Sequence, residues 1–198
     1  MHIHEIRTSR LLLRNWKESD YEPFIGMGQN ERVMKYFPKL MTPEQSREYI
    51  NAQMRILVEK GWGMYAVEEL HASTFIGFIG IRSVPYELPF SSLESPMIEI
   101  GWRLRPEWWN QGLATEGALG CLQLGFETLG LKEIISFTTV INTPSIRVMQ
   151  KIGMRRDHDA DFDHPKVEEG HPVRPHLVYR MTKEDWENHV ISNGVSLD

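Results

Sequence analysis

Residues 96–117 read PMIEIGWRLRPEWWNQGLATEG, and the rest of the 198-residue chain is ordered by how this stretch is read. Ile98, Ile100, Trp102 and Leu104 alternate with Glu99, Gly101 and Arg103, the two-residue period of a strand with unlike faces. Pro106 stops it. After the turn Asn110-Gln111-Gly112, the residues Leu113, Leu119, Leu122, Phe126 and Leu129 keep a helical pattern up to Gly130. A strand therefore feeds a helix through a tight glycine turn. Such a junction gathers unpaired backbone N–H groups at the positive end of a helix dipole, an arrangement that binds phosphate. A side chain at Gly112 would hold phosphate oxygens off that backbone. The turn lacks both G-x-x-x-x-G-K-[ST] and G-x-G-x-x-G, which argues against a plain kinase or dehydrogenase. Alone, a glycine before a helix is ordinarily only a turn, so the assignment needs a second signal.

That signal lies downstream. Asn142-Thr143-Pro144-Ser145-Ile146-Arg147-Val148-Met149-Gln150-Lys151-Ile152-Gly153-Met154 comes after another apolar strand. Together with Glu99-Ile100-Gly101 and Gln111-Gly112-Leu113-Ala114-Thr115-Glu116, it resembles the acetyl-CoA-dependent N-acetyltransferases of the GNAT superfamily. The likeness is to the RimJ/RimL type, which modifies protein N-termini and related amines. It spans nearly the whole chain: Arg10-Leu11-Leu12-Leu13-Arg14 resembles the first strand of that group, and the segments from Phe162 and from His176 resemble its closing hairpin. Periodicity alone gives hairpins, then strand-helix-strand-helix, then a closing hairpin, hence a mixed α/β sheet. The resemblance implies a GNAT fold (α/β, or α+β): a mixed central sheet of about six to seven strands, with helices on both faces. It also implies a splay between two central parallel strands, into which acetyl-CoA enters.

Size and composition are consistent with one domain over residues 1–198, with an ordered core over about residues 5–191. The 27 acidic residues outnumber 22 basic ones, for a net charge of −5, which argues against direct nucleic-acid binding and fits an amine substrate weakly. The lone Cys121 excludes an internal disulfide or a cysteine metal cage and reads as a core filler. Neither a signal peptide nor an apolar run of membrane-spanning length is present, so the cytoplasm is the expected compartment and no membrane partner is expected. The eight histidines show no metal-binding spacing, and no metal is expected.

In chain order, residues 5–14 read as one strand, and Ser19-Asp20-Tyr21-Glu22 as a capping box opening a short helix. Thr42-Pro43-Glu44-Gln45 is a second capping box, opening a helix over 43–60 that Gly61 stops. Residues 62–68 and 74–82 read as a hairpin in which Gly77 and Gly80 indicate a bulge or close backbone approach. Residues 84–95 are a long loop, either a variable connector or a substrate lid.

Acetyl transfer from a thioester to an amine needs a neutral amine, a stabilised oxyanion and a protonated leaving thiolate. The resemblance carries these needs onto this chain. The cofactor pyrophosphate is expected on the N–H groups of Trp109, Asn110, Gln111, Gly112, Leu113, Ala114 and Thr115, and the pantetheine arm beside Trp102 and Leu104. Asn142 matches the family asparagine of the pantetheine region, or is a helix-entry turn residue. Arg147 or Lys151 would meet the distal 3′-phosphate, or form a solvated helix face. Glu99, on the face opposite Ile98 and Ile100, matches the family's strand carboxylate and is the candidate general base. The general acid is the open position. Many relatives carry a tyrosine four residues before the glycine matching Gly153, and here that position is Met149. Ser145 is the first candidate instead, and Tyr179 the second. Tyr36, Phe37 and His164 fall in regions that line the acceptor site in relatives, or simply pack.

The expected reaction is direct attack by a primary amine in a ternary complex. A protein N-terminal amine is the first acceptor class and a small-molecule amine the second. A non-catalytic acyl-CoA-binding regulatory module is the alternative of another kind, motivated by the missing tyrosine. A homodimer fits the resemblance, since dimers are frequent among relatives.

Overall fold

The computed structural model describes residues 2–84, 87–90 and 97–193. Eight strands build one sheet: β1 (Ile6–Arg7), β2 (Leu11–Arg14), β3 (Met64–Glu69), β4 (Thr74–Ser83), β5 (Ile98–Leu104), β6 (Glu133–Thr139), β7 (Arg155–Asp163) and β8 (Pro175–Thr182). Their order is β1-β2-β3-β4-β5-β6-β8-β7, and every neighbouring pair is antiparallel except β5 and β6. The helices are α1 (Tyr21–Gly28), α2 (Glu31–Met34), α3 (Pro43–Lys60), α4 (Leu113–Gln123), α5 (Thr143–Lys151) and α6 (Lys183–Asn193).

The count exceeds the expected six to seven because residues 5–14 do not form one strand. They fold back as β1 and β2, pairing Ile6 with Leu13. Thr8 closes the turn by accepting the Leu11 N–H on its hydroxyl at 3.0 Å. The Ser19–Glu22 capping box does not form either. The Asp20 carboxylate instead accepts the Lys17 N–H at 2.8 Å and the two ends of the Arg14 guanidinium at 2.7 and 3.0 Å. The Thr42 box does form: its hydroxyl accepts the Gln45 N–H, and Gln45 returns a carbonyl to the Thr42 N–H. Gly61, at φ 79°, ends α3. The 84–95 loop falls largely outside the described residues, at 85–86 and 91–96.

Two faces of the sheet carry different layers. On one, α4 lies so close to the strands that a Cβ on Gly117 would come within 2.5 Å of Ile79 Cδ1. On the other, Phe78 of β4 packs with Trp16, Phe24 of α1 and Tyr49 of α3 in an aromatic cluster with centroids 5.3–6.3 Å apart. A Cβ on Gly77 would lie 2.2 Å from the Arg103 carbonyl, and one on Gly80 would lie 2.1 Å from that of Gly63, so both are glycines of close backbone approach. The register slips beside Gly77, between Val67 and Glu68. Gly77 thus lets β4 lie close against β5, and Gly80 lets it lie close against the start of β3.

The layer that holds α1 is tied to the sheet by a buried ion pair. Arg14 is 4% exposed and Asp20 1%, with Glu68 accepting from Arg14 Nε at 2.7 Å. Breaking a buried pair strands the remaining charge, at about 3–5 kcal/mol. Arg14→Met is expected to lower the melting temperature by roughly 10 °C. Its acid dependence should also flatten. The Arg14 hydrogen bond holds Glu68 below its usual 4.5, so this contribution is full above that pH and is lost as pH falls through the depressed value. Thermal melts of both proteins across the acid range check it.

Candidate active site

The parallel pair β5–β6 has one register position, Glu99 opposite Ile135, after which the strands diverge. Alternation fixes which backbone groups face the resulting gap. The Arg105 N–H bonds to Ile76 on β4, and Gly101 and Arg103 share that direction, so Ile100, Trp102 and Leu104 turn their backbone groups toward β6. The Ile100 carbonyl accepts from the Ser136 hydroxyl at 3.0 Å, and the Leu104 carbonyl from the Trp109 indole at 2.7 Å. The Trp102 N–H and carbonyl are left at the open edge.

The turn leading into α4 sits at the mouth of this gap. Asn110 and Gly112 both take left-handed backbone, at φ 59° and 79°. Gly112 is the N-cap and offers no side chain. The Glu116 N–H bonds to the Gly112 carbonyl, while among the described residues the N–H groups of Asn110 through Thr115 meet no acceptor. The Trp109 N–H is donated to Pro106 at 3.3 Å, so the run of unpaired donors begins one residue later than its sequence suggests. Arg10 reaches over the turn from the other end of the chain. Its guanidinium donates to the Gln111 carbonyl at 2.9 Å and pairs with Glu116 at 2.6 Å. Glu116 also accepts from Thr8, Ser9 and the Arg10 N–H, which anchors the β1–β2 turn to α4. Sequence reading missed Arg10 in this role, since no local pattern links it to a turn a hundred residues away.

A pyrophosphate fits this cradle on physical grounds: a left-handed glycine without Cβ, six unpaired N–H groups, a helix dipole and one guanidinium.

On the face opposite α4, Glu99 is 9% exposed and takes Arg82 Nε and Nη2, each at 2.8 Å. Burial pushes its carboxyl above the usual range, against the lowering effect of Arg82. Tyr49 lies within electrostatic reach of Glu99, Arg82 and Arg103, and burial raises its phenol to about 12. Phe37 lies 4.0 Å over the Arg103 guanidinium. His164 and His176 have ring centroids 4.9 Å apart beside Phe137 and Phe162. Burial and the neighbouring His176 and Arg82 hold His164 down at about 4. Phe37 and His164 thus border one face with Glu99, whereas Tyr36 turns toward Lys35, whose ammonium lies 5.4 Å from its ring.

Across the gap, Asn142 caps α5 with its whole side chain. Its carbonyl oxygen accepts the Ser145 N–H at 3.3 Å, and its amide donates to Thr138 and Ser145 hydroxyls at 2.9 and 3.0 Å. Asn142 is thus the N-cap of α5. Ser145, as acceptor of that amide, keeps its own proton. Met149 is buried in the core, and the Tyr179 hydroxyl accepts from Gln150 Nε2 at 3.3 Å. Arg147 and Lys151 are exposed on α5, and among the described residues neither has an ion pair. Two shallow concavities of about 420 and 470 Å³ lie elsewhere, along the β7–β8 edge and beside α6, away from this chemistry.

Residues 10–155 match the acetyltransferase (GNAT) domain family. The chain belongs to the GNAT acetyltransferases. It is 30% identical over 182 residues to the uncharacterized N-acetyltransferase YnaD of Bacillus subtilis, covering 91% of this chain and 98% of that protein. A GNAT-family acetyltransferase structure from Bacillus anthracis superposes with a TM-score of 0.74 at 30% identity, covering 91% of this chain and 99% of that one. The FsC-acetyl coenzyme A-N(2)-transacetylase of Aspergillus fumigatus is 35% identical over 116 residues, 57% of this chain and 47% of that protein. The GNAT family draws its acetyl group from acetyl-CoA, and the splayed β5–β6 pair with the α4 cradle at its mouth belongs to an acetyltransferase. Among the described residues no group of three or more metal-ligating side chains converges, and no helix is long and apolar enough to cross a membrane.

Proposed function

We propose that the chain acts as one acetyltransferase domain of the RimJ/RimL type, moving acetyl from acetyl-CoA to a primary amine, with a protein N-terminal amine as first acceptor class. The observation that carries this reading is the placement of Glu99 at the last shared position of β5 and β6, with the run of unpaired N–H groups at the far end of the same strand.

Acetyl-CoA supplies an acyl group already activated as a thioester. The residues to hold it are Asn110 to Thr115 with Arg10 at the pyrophosphate, and the backbone of Trp102 with the Leu104 N–H along the pantetheine arm, the Leu104 carbonyl being taken by Trp109. Trp109 works indirectly, bracing the loop through the Leu104 carbonyl beneath the Arg32 guanidinium, 5.5 Å from its ring. Arg147 and Lys151 remain for the 3′-phosphate. Glu99 removes the proton of the acceptor ammonium, directly or through one water, because its raised pKa suits that transfer better than an ordinary carboxylate would. The Trp102 N–H is the strand donor available to a developing oxyanion. Asn142 acts as a positioning residue: by giving its amide proton to Ser145, it leaves the Ser145 hydroxyl free to donate to the departing sulfur.

The test is calorimetric titration with acetyl-CoA, and then thiol release against N-terminal peptides and small amines. The expected result is saturable binding with release for at least one peptide class. Release with small amines alone would move the acceptor to the second class. Absence of binding overturns the reading, and binding with silence across the panel replaces it with an acyl-CoA-binding regulatory module.

A further inference from the structure

The acceptor side of β5 carries a cation that nothing among the described residues neutralises. Glu99, Gly101 and Arg103 alternate onto one face of the strand, opposite Phe78, Gly80 and Arg82 of β4 at matched register. Arg82 is spent on Glu99. Among the described residues Arg103 has no such partner: its Nη1 meets Met41 Sδ at 3.5 Å, its Nε is buried without a hydrogen bond, and it donates to no oxygen. Its guanidinium is held instead between the Phe37 and Phe78 rings, at 4.0 and 5.3 Å. Such stacking fixes the plane of the fork while leaving its N–H edge to be satisfied from outside.

A guanidinium with unused buried donors is a costly arrangement, and nothing among the described residues supplies the missing partner. Among the described residues, the titratable groups beside it, Tyr49 and Arg82, offer no balancing negative charge. Tyr49 is a neutral phenol with its ionisation pushed to about 12, and His164 is held down at about 4 and so is neutral near pH 7. The Arg82–Glu99 pair cancels itself. Among the described residues Arg103 therefore stays an unbalanced positive charge, on a chain whose net charge is −5. Between Glu99 and Arg103 the strand carries no side chain at Gly101, where an added Cβ would meet Met64 Cε at 3.4 Å. The two charged positions stand roughly 13 Å apart along the backbone, with side chains long enough to converge over that glycine.

We infer that the acceptor is an amine that also carries a carboxylate, its ammonium delivered to Glu99 over Gly101 and its carboxylate taken by the Arg103 fork. The inference rests on the acetyltransferase reading of the site and narrows it. The same chemistry is presented by a free amino-acid-like molecule or by the acidic first side chains of a polypeptide.

The experiment compares matched acceptor pairs on the intact protein: an amino acid and its amide, and peptides beginning with Asp or Glu and with Asn or Gln. Acetyl-CoA affinity is measured alongside, and binding of each acceptor to CoA-loaded protein is read by calorimetry. A charge-assisted contact sets the expected preference for the acidic member at on the order of 10- to 100-fold in kcat/KM, carried by KM. In Arg103→Gln that ratio should fall to about one, and Arg103→Lys should restore part of it. The amino-acid pair responding alone identifies the small-molecule source, and the peptide pairs alone the polypeptide source. Equal use of both members by the wild type, equal binding of both to CoA-loaded protein, or a ratio unchanged in Arg103→Gln overturns the inference while acetyl-CoA binding stands. Loss of acetyl-CoA binding by the wild type overturns the underlying reading instead.

Discussion

Gly112→Trp is expected to abolish measurable acetyl-CoA binding, raising Kd by more than about 100-fold while leaving the protein folded. The residue sits at φ 79°, where a side chain adds roughly 1–2 kcal/mol of backbone strain. That strain is tolerable for the fold, because Asn110 already takes φ 59° in the same turn, and because a Cβ on Gly112 meets only the Arg10 Nη2 at 3.5 Å. The damage falls on the concavity instead. An indole there covers the N–H groups of Asn110 to Thr115 and displaces the Arg10 guanidinium from the Gln111 carbonyl, removing the anion's donors and its nearest cation together. Calorimetry with acetyl-CoA reads the binding loss, and a thermal melt should fall by only a few degrees. Gly112→Ala should lose far less affinity, since it adds strain without filling the cradle. A tryptophan variant that binds acetyl-CoA normally would remove the turn from the cofactor site.

The parts of this site that were legible in the sequence are those written in neighbouring residues. Alternation from Ile98 to Leu104 marks a strand, the Thr42–Gln45 box marks the start of α3, and Gly112 ahead of a helical run marks the cradle; each is a local backbone preference. The relations that complete the site are long-range. Arg10 meets Glu116 across 106 positions, and Ser136 closes the apex of the splay by reaching the Ile100 carbonyl, a bond that spacing cannot reveal. The same limit explains the errors. Residues 5–14 read as one strand in the sequence, yet Glu116 accepts from the Thr8 and Ser9 hydroxyls and holds them in a turn. Ser19 satisfies the capping pattern, but Asp20 is claimed by Arg14, and the pair fixes the helix entry in its place. Asn142 shows how a residue type can match two roles, since the amide that suits a ligand also suits a cap. Arg103, one member of an alternating row, becomes informative only when its neighbours are seen to leave it unpaired.

Glu99→Gln is expected to lower turnover by about 10²–10⁴-fold, the usual contribution of a general base, with acetyl-CoA affinity nearly unchanged. Affinity survives because the cofactor donors lie at the other end of β5, beyond Trp102. The sharper signature is in pH. A base works only when ionised, so wild-type kcat/KM should rise with pH through the Glu99 pKa, and burial places that limb above the usual 4.5. Removing the guanidinium that favours the carboxylate, in Arg82→Gln, should move the limb to still higher pH, whereas Glu99→Gln should delete it. Full pH–rate profiles of the three proteins at saturating acetyl-CoA decide the matter. Wild-type turnover across the whole profile of Glu99→Gln would remove this carboxylate as base. A residual limb near 4 in that variant would point to His164, whose imidazole is held at about 4 by burial, His176 and Arg82 and becomes a proton acceptor above that pH. Loss of Arg82 moves both limbs the same way: upward for a carboxylate losing a cation that favours its charged form, and also upward, through relief of like-charge repulsion, for an imidazolium. Only deletion of the limb by Glu99→Gln is unique to the carboxylate, which makes the substitution at Glu99 itself the deciding one.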